Sequence, residues 1–421
     1  MEILASHGHW FIGLAAAFGL YMTWGIGAND VANAMGTSVG SRAITLKQAI
    51  LIAAVFEFAG VVLAGGDVTE TVRKGIVDPT PVLQRPELLV FGMLAALLGS
   101  GVWLMLATVK GWPVSTTHSI VGALVGFALV GIGPDAVYWG KVWQIVASWL
   151  ISPVLGGAVA LLLMVSIRHF ILDTDHPFEN AKKFGPIYIF LLGFLIALVT
   201  LFKGLKHLNL DLSVQQSLLW ASLFGLLTAG VGWALIRRRQ ADPKADAHFQ
   251  FASVERVFAP MQVFTACAMA FAHGSNDVAN GIGPLAAVFS IVQSGGLVTQ
   301  TAGVPFWILL LGGLGIVVGL STMGYRVMRT IGKHITELTP TRGFSAELAA
   351  AAIVVLASRT GMPVSTTHIL VGSVMGVGLS RGIAALDLRT VGRIVLSWII
   401  TLPAGALLSA FFFYTLKGIF T

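Results

Sequence analysis

Long apolar runs separated by short polar breaks dominate the chain. "AILIAAVFEFAGVVLAG", "LLVFGMLAALLGSGVWLMLA", "IVASWLISPVLGGAVALLLMVSI" and "IVLSWIITLPAGALLSAFFFYTL" are examples. Many are near the ~20 residues that an α-helix needs to cross a bilayer. None alternates with period two, as the strands of a porin-like barrel would. The pattern predicts an all-α polytopic membrane protein with about a dozen helical segments.

Against this background the polar residues stand out. "GANDVANAMG" (27–36) follows directly on an apolar run and returns as "GSNDVANGIG" (274–283). "GWPVSTTHSIVGALVG" (111–126) returns as "GMPVSTTHILVGSVMG" (361–376). The offsets are 247 and 250 residues, in the same order. Such spacing implies a duplication: a first repeat over 1–170, two linking helices with a polar loop over 171–254, and a second repeat over 255–421. If each PVSTTH turn lies at mid-membrane, its flanking limbs enter and leave on one face. Counting the remaining crossings then makes the repeats inverted. That plan, with broken helices and a midplane site, is common among secondary transporters.

Composition and charge agree with a membrane protein. The chain of 421 residues is 56% hydrophobic and only 11% charged, against about 25% charged in soluble domains. With the N-terminus placed outside, seventeen Lys and Arg fall on the cytoplasmic side and seven outside. That is the sign of the positive-inside rule. The net charge of +7 therefore reflects topology rather than a nucleic-acid partner. Both termini are expected outside, in the inner (plasma) membrane. "MEILASHGHW" lacks the basic start of a cleaved signal peptide, so the first span is expected to be retained. Cys267, the only cysteine, reads as a small buried hydrophobe. No G-x-x-x-x-G-K-[ST] loop is present, which argues against ATP-driven transport by this chain.

The PVSTTH turns carry donor chemistry. Pro113 and Pro363 break each helix, and Ser115 and Ser365 are placed to cap the second limb. The N–H groups at Thr116 to His118 and Thr366 to His368 then lack intrahelical acceptors and form positive helix ends suited to an anion. In the other motif, Asn29, Asp30 and Asn33 share a helical face, as do Asn276, Asp277 and Asn280. A carboxylate at the bilayer centre costs about 2.5–3.5 kcal/mol on insertion scales. Two acids beside an anion site need a positive companion, either Na+ or a shared proton. Glu57 and Glu347 are further candidates for intramembrane coupling, Glu347 equally for a helix start at the interface. His118 and His368 are candidate proton relays or donors. His7, His9, His169 and His176 lack the spacing of a metal site. A hydrolase would rest on Ser115 with His118, three residues apart, which is poor triad geometry; the chain is not read as an enzyme.

The doubled GxNDVANxxG and G-x-P-V-S-T-T-H motifs resemble the inorganic phosphate transporter (PiT) family. "ITELTPTRGFSAELAAAAIVVLASRTGMPVSTTHILVGSVMGVGL" looks especially like its bacterial members. The resemblance implies two inverted repeats, often a homodimer, and phosphate uptake coupled to Na+ or H+, with no cofactor. It also implies that Asp30 and Asp277 hold phosphate together with Ser115, Thr116, Thr117, Ser365, Thr366 and Thr367. Asn29, Asn33, Asn276 and Asn280 would line that site and the adjacent cation positions. Some relatives carry sulfate, the alternative anion. One departure matters: "GIGA" precedes NDVAN in the first half and "AHGS" in the second, so His273 and Ser275 have no counterparts.

Overall fold

The structure is a computed structural model that describes residues 2–65, 76–78, 80, 83, 85–201, 212–249, 251–297, 304–360 and 364–421. Pro363, Arg73, Lys74, Lys203 and Lys206 lie outside the described residues. The first half comprises α1 (Glu2–Gly40), α2 (Leu46–Ala64), α3 (Pro86–Val109), α4 (Thr116–Gly131) and α5 (Trp139–Ile167). Then come α6 (Pro177–Val199), α7 (Val214–Arg237) and the short α8 (Pro243–His248). The second half holds α9 (Ala252–Gln293), α10 (Phe306–Thr322), α11 (Gly324–Lys333), α12 (Pro340–Thr360), α13 (Thr366–Leu379) and α14 (Leu388–Phe420).

Among the described residues, nine helices are long and apolar enough to cross a membrane, and α10 with α11 adds a tenth candidate, bent by 63°. Helices α4 and α13 are shorter, with 16 and 14 residues. At 1.5 Å per residue they reach about 24 and 21 Å, less than the ~30 Å hydrocarbon core. Helix α4 begins at Thr116 after α3 ends at Val109, as the first PVSTTH turn predicts, and α13 begins at the matching Thr366. The NDVAN motifs behave differently: α1 and α9 run unbroken through them for 39 and 42 residues.

The two motif helices lie antiparallel against each other. Gly8 of α1 backs onto Val292 of α9, Gly19 onto Leu285, and Gly281 onto Thr23. The contact between the two helices thus runs up to the motifs, reaching Gly281 within the second. Each motif helix also packs on a helix of the other half. A Cβ at Gly27 would come 2.0 Å from the carbonyl oxygen of Ile316 on α10, and one at Gly274 would come 2.2 Å from that of Glu57 on α2. Without a hydrophobic drive between helices in lipid, such backbone-close packing supplies the association. The linking helices α6 and α7 pack chiefly on each other and on α9. The apolar core runs through α1, α3, α4, α9, α12 and α13 and encloses the motif side chains.

Candidate functional site

The two short helices start as their sequences dictate. Ser115 Oγ accepts from the His118 N–H and Ser365 Oγ from the His368 N–H, both at 3.2 Å. These are N-caps that satisfy one orphan donor each and leave others at the helix starts. Asn29 secures the break before α4. Its Nδ2 donates to Thr108 Oγ1 and to the Trp112 carbonyl, each at 3.0 Å, and its Oδ1 accepts from Val114 N at 3.1 Å. Trp398 Nε1 closes the same turn by donating to the Pro113 carbonyl at 3.0 Å. The carboxamide of Asn29 is thus engaged at both ends. Asn276 donates to Asp277 Oδ1 at 2.8 Å.

The remaining motif residues converge in a crossed pattern. Thr116 Oγ1 donates to Asp30 Oδ2 at 2.8 Å, and Thr366 Oγ1 donates to Asp277 Oδ2 at 2.9 Å. Each aspartate therefore meets the helix start of its own half. The asparagine three residues on reaches across instead. Asn33 Nδ2 donates to Thr367 Oγ1 at 2.8 Å and lies 3.5 Å from Thr366 Oγ1. Asn280 Nδ2 donates to Thr117 Oγ1 at 3.2 Å and Thr116 Oγ1 at 3.3 Å. Thr367 Oγ1 donates to the Val114 carbonyl at 3.2 Å, linking the two turns directly. Ser115, Thr116, Ser365, Thr366, Thr367 and both aspartates are buried. Both helix starts and both acids thus belong to one cluster.

A histidine joins the acids. His273 Nε2 is 3.1 Å from Asp277 Oδ2 and 3.6 Å from Asp30 Oδ2, while its Nδ1 is 3.4 Å from Glu57 Oε2. When protonated, the ring supplies the positive companion that the two aspartates require. Ligand atoms of Asp30, His273 and Asp277 lie within 4.8 Å of one another, a set with metal-ligand potential. Oδ1 of Asp30 and Oδ1 of Asn33 are buried with no donor among the described residues. From the sequence, His273 stands out only as a departure between the halves. Its i,i+4 spacing to Asp277 is the signal that could have placed it in the site; its approach to Glu57 on α2 is a tertiary fact.

Glu347 occupies a separate place. It lies fully buried within α12, not at an interfacial helix start. Its carboxylate accepts from Ser38 at 2.8 Å, Thr265 at 2.5 Å, and Thr37, so α1, α9 and α12 are tied through one acid. Behind the helix starts, His118 and His368 meet edge to face with centroids 4.3 Å apart. His118 stacks on Trp149 and His368 on Trp398. His368 Nδ1 is also 3.2 Å from the Trp149 carbonyl. The aromatic sandwich gives both rings a structural role in joining α4, α5, α13 and α14.

Comparison with known proteins bears on the family of the chain. The sequence profile described as "Phosphate transporter family" matches residues 26–409. A "Putative phosphate permease" of Haemophilus influenzae is 49% identical over 420 residues, covering 100% of both chains. "Inorganic phosphate transporter 2-1, chloroplastic" of Arabidopsis thaliana is 45% identical over 417 residues, covering 94% of this chain and 70% of the relative. A solved structure, "The sodium-dependent phosphate transporter", superposes with a TM-score of 0.86 at 40% identity over the whole of both chains. The chain is a multi-pass membrane protein that belongs to the phosphate transporter family, a family of transporters rather than enzymes.

Proposed function

We propose that the chain imports inorganic phosphate by symport with a cation, through a site built from two inverted repeats. The observation that carries this reading is the crossed cluster. Two helix starts bring free N–H groups and four threonine hydroxyls to the same two asparagines and two aspartates. Helix starts favour oxyanions, and hydroxyls that now donate to Asp30 and Asp277 can rotate to a phosphate oxygen. Ser115, Thr116, Thr117, Ser365, Thr366 and Thr367 hold the anion. Asp30 and Asp277 accept from its protonated oxygens, which favours phosphate over fully ionised sulfate.

The cation half lies beside the anion. Its support is the pair of orphaned buried acceptors, Asp30 Oδ1 and Asn33 Oδ1, in a cluster with several acids. A buried acceptor without a donor is costly, and a cation at this place removes the cost. Asn276 and Asn280 extend the oxygen-rich lining, Asn29 fixes its edge, and the coupling acids are Glu57, beside His273, and Glu347, which meets α1 beyond Asn33 at Thr37 and Ser38. The solved relative is a sodium-dependent transporter, which favours Na+ over H+ as the coupling ion. The repeats span 1–170 and 255–421, with the linking helices and loop between them over 171–254. The protein works as a homodimer in the inner membrane, with both termini outside.

Uptake of radiolabelled phosphate into proteoliposomes under an imposed Na+ or pH gradient, with sulfate and arsenate as competitors, tests this. Accumulation should follow the Na+ gradient, arsenate should compete, and sulfate should not. Accumulation driven by neither gradient overturns symport.

A further inference from the structure

On the arginine-rich face a cavity of about 330 Å³ opens between the end of α5, the starts of α9 and α12, and the turn after α13. This is at the small end of ligand-pocket sizes, and it shares no residue with the cluster around Asp30 and Asp277. Three guanidinium groups, Arg168, Arg342 and Arg381, line it, against the carboxylates of Asp173 and Glu255. Glu255 is already committed, accepting from the N–H and hydroxyl of Thr341 at 2.7 and 2.8 Å. Arg168 is committed too. It holds Asp173 through Nε at 3.0 Å and Nη2 at 2.9 Å, and its Nη1 donates to the Ser380 carbonyl at 2.5 Å.

Arg342 and Arg381 are not. Each uses only Nη1, Arg342 on the Glu337 carbonyl at 3.0 Å and Arg381 on Glu337 Oε2 at 3.2 Å. The shared carboxylate of Glu337 is also 3.6 Å from Arg342 and is 69% exposed. One solvated acid thus serves two cations. A guanidinium carries five N–H donors in a planar fork. The Nε and Nη2 donors of both arginines have no acceptor among the described residues. Two forks with unspent donors on one cavity match the geometry that binds oxyanions bidentately. The hydroxyl of Thr339 lines the same space.

We propose that this cavity is a second anion site, in which Arg342 and Arg381 bind a phosphoryl oxyanion. Its chemistry is that of a free phosphate or of the headgroup of an anionic phospholipid. The choice of phosphate as one source rests on the transport reading above; the binding itself does not. An anion here ties the start of α12 to the turn after α13, the two ends of the second broken pair.

Arginine labelling with phenylglyoxal, read by peptide mass spectrometry on the full chain in zwitterionic nanodiscs, tests the proposal. One arm adds inorganic phosphate, and a second replaces part of the lipid with phosphatidylglycerol. Both are repeated on the Asp277→Asn chain, which disables the central cluster. Labelling of Arg342 and Arg381 should fall several-fold in at least one arm, equally in Asp277→Asn, while Arg168 is unaffected. Protection by phosphate alone identifies a soluble anion, and protection by phosphatidylglycerol alone a lipid headgroup; either supports the site. Absence of protection in both arms overturns it, and so does protection that disappears in Asp277→Asn. Because labelling reads binding and not uptake, failure of symport leaves this outcome independent.

Discussion

Nδ1 of His273 on α9 lies 3.4 Å from Oε2 of Glu57 on α2, and both side chains are fully buried. The corresponding positions in the other half are Ile26 of α1 and Ile316 of α10, since Gly27 packs on the Ile316 backbone as Gly274 packs on that of Glu57. One half thus carries an acid–imidazole pair where the other carries apolar side chains. The surroundings of the central cluster are therefore chemically unequal in the two halves.

Replacing His273 leaves Asp30, Asp277 and Glu57 facing one another without the imidazole. Removing one partner of a buried charged set costs about 3–5 kcal/mol. His273→Gln should lower the thermal unfolding temperature in detergent and abolish uptake. Glu57→Gln on that background removes one of the three acids and should recover part of the lost stability. A double variant no more stable than His273→Gln alone would show that Glu57 does not feel the ring.

The aspartates act on the hydroxyls of their own helix starts. Hydrogen bonds to a charged group contribute about 1.5–3 kcal/mol, which corresponds to about 13- to 160-fold in a binding or rate constant. Asp30→Asn and Asp277→Asn should each reduce phosphate uptake by at least that factor, with little change in protein yield. Uptake assays on purified protein in liposomes decide the point. Full retention of uptake in both variants removes the aspartates from the site.

The crossing asparagines offer a test of how far the halves are coupled. Asn33 bonds Thr367 and Asn280 bonds Thr117, each across the two halves. A double-mutant cycle of Asn33→Ala with Thr367→Val should give an interaction energy of about 1 kcal/mol in phosphate affinity, as for a neutral hydrogen bond. The pair Asn33→Ala with Thr117→Val shares no bond but lies in the same cluster, so its interaction energy should be smaller than that of the bonded pair.

Much of the candidate site is legible in the sequence because its residues sit in repeated local motifs. Pro113 and Ser115 announce a helix break and cap by backbone chemistry alone, and α4 begins at Thr116. The shared helical face of Asp30 and Asn33 follows from helical periodicity. What the residues alone do not reveal is which partner each group meets. Motif position groups Asn29 with the residues proposed to line the cation positions, and in the fold both ends of its carboxamide hold the α3–α4 break. The crossing of Asn33 to Thr367 spans 334 residues and depends on helix packing. Glu347 is equally consistent with a solvated helix start on sequence grounds, and three hydroxyls from α1 and α9 decide for burial. The bend between α10 and α11 at Met323 has no proline to mark it, and the adjacent Gly324 is one of many glycines in the apolar runs, so it does not single the place out.

The close approach of the motif helices to their neighbours can be measured through their glycines. A Cβ at Gly27 would lie 2.0 Å from the Ile316 carbonyl oxygen, and one at Gly274 would lie 2.2 Å from that of Glu57. Those atoms belong to helix backbone and cannot rotate away, so the helices must separate. Overpacking of this kind costs about 1–3 kcal/mol, and here it also moves Asp30 and Asp277, each three residues further along. Gly27→Ala and Gly274→Ala should lower both thermal stability and uptake. Gly13, on the same helix α1, has open space around its Cβ position. Gly13→Ala should therefore stabilise the chain by about 0.5–1 kcal/mol, the helix-propensity gain of alanine over glycine. Thermal unfolding of the three variants in one detergent separates the effects. If Gly27→Ala were as stable as Gly13→Ala, close packing would not be what the motif glycine provides.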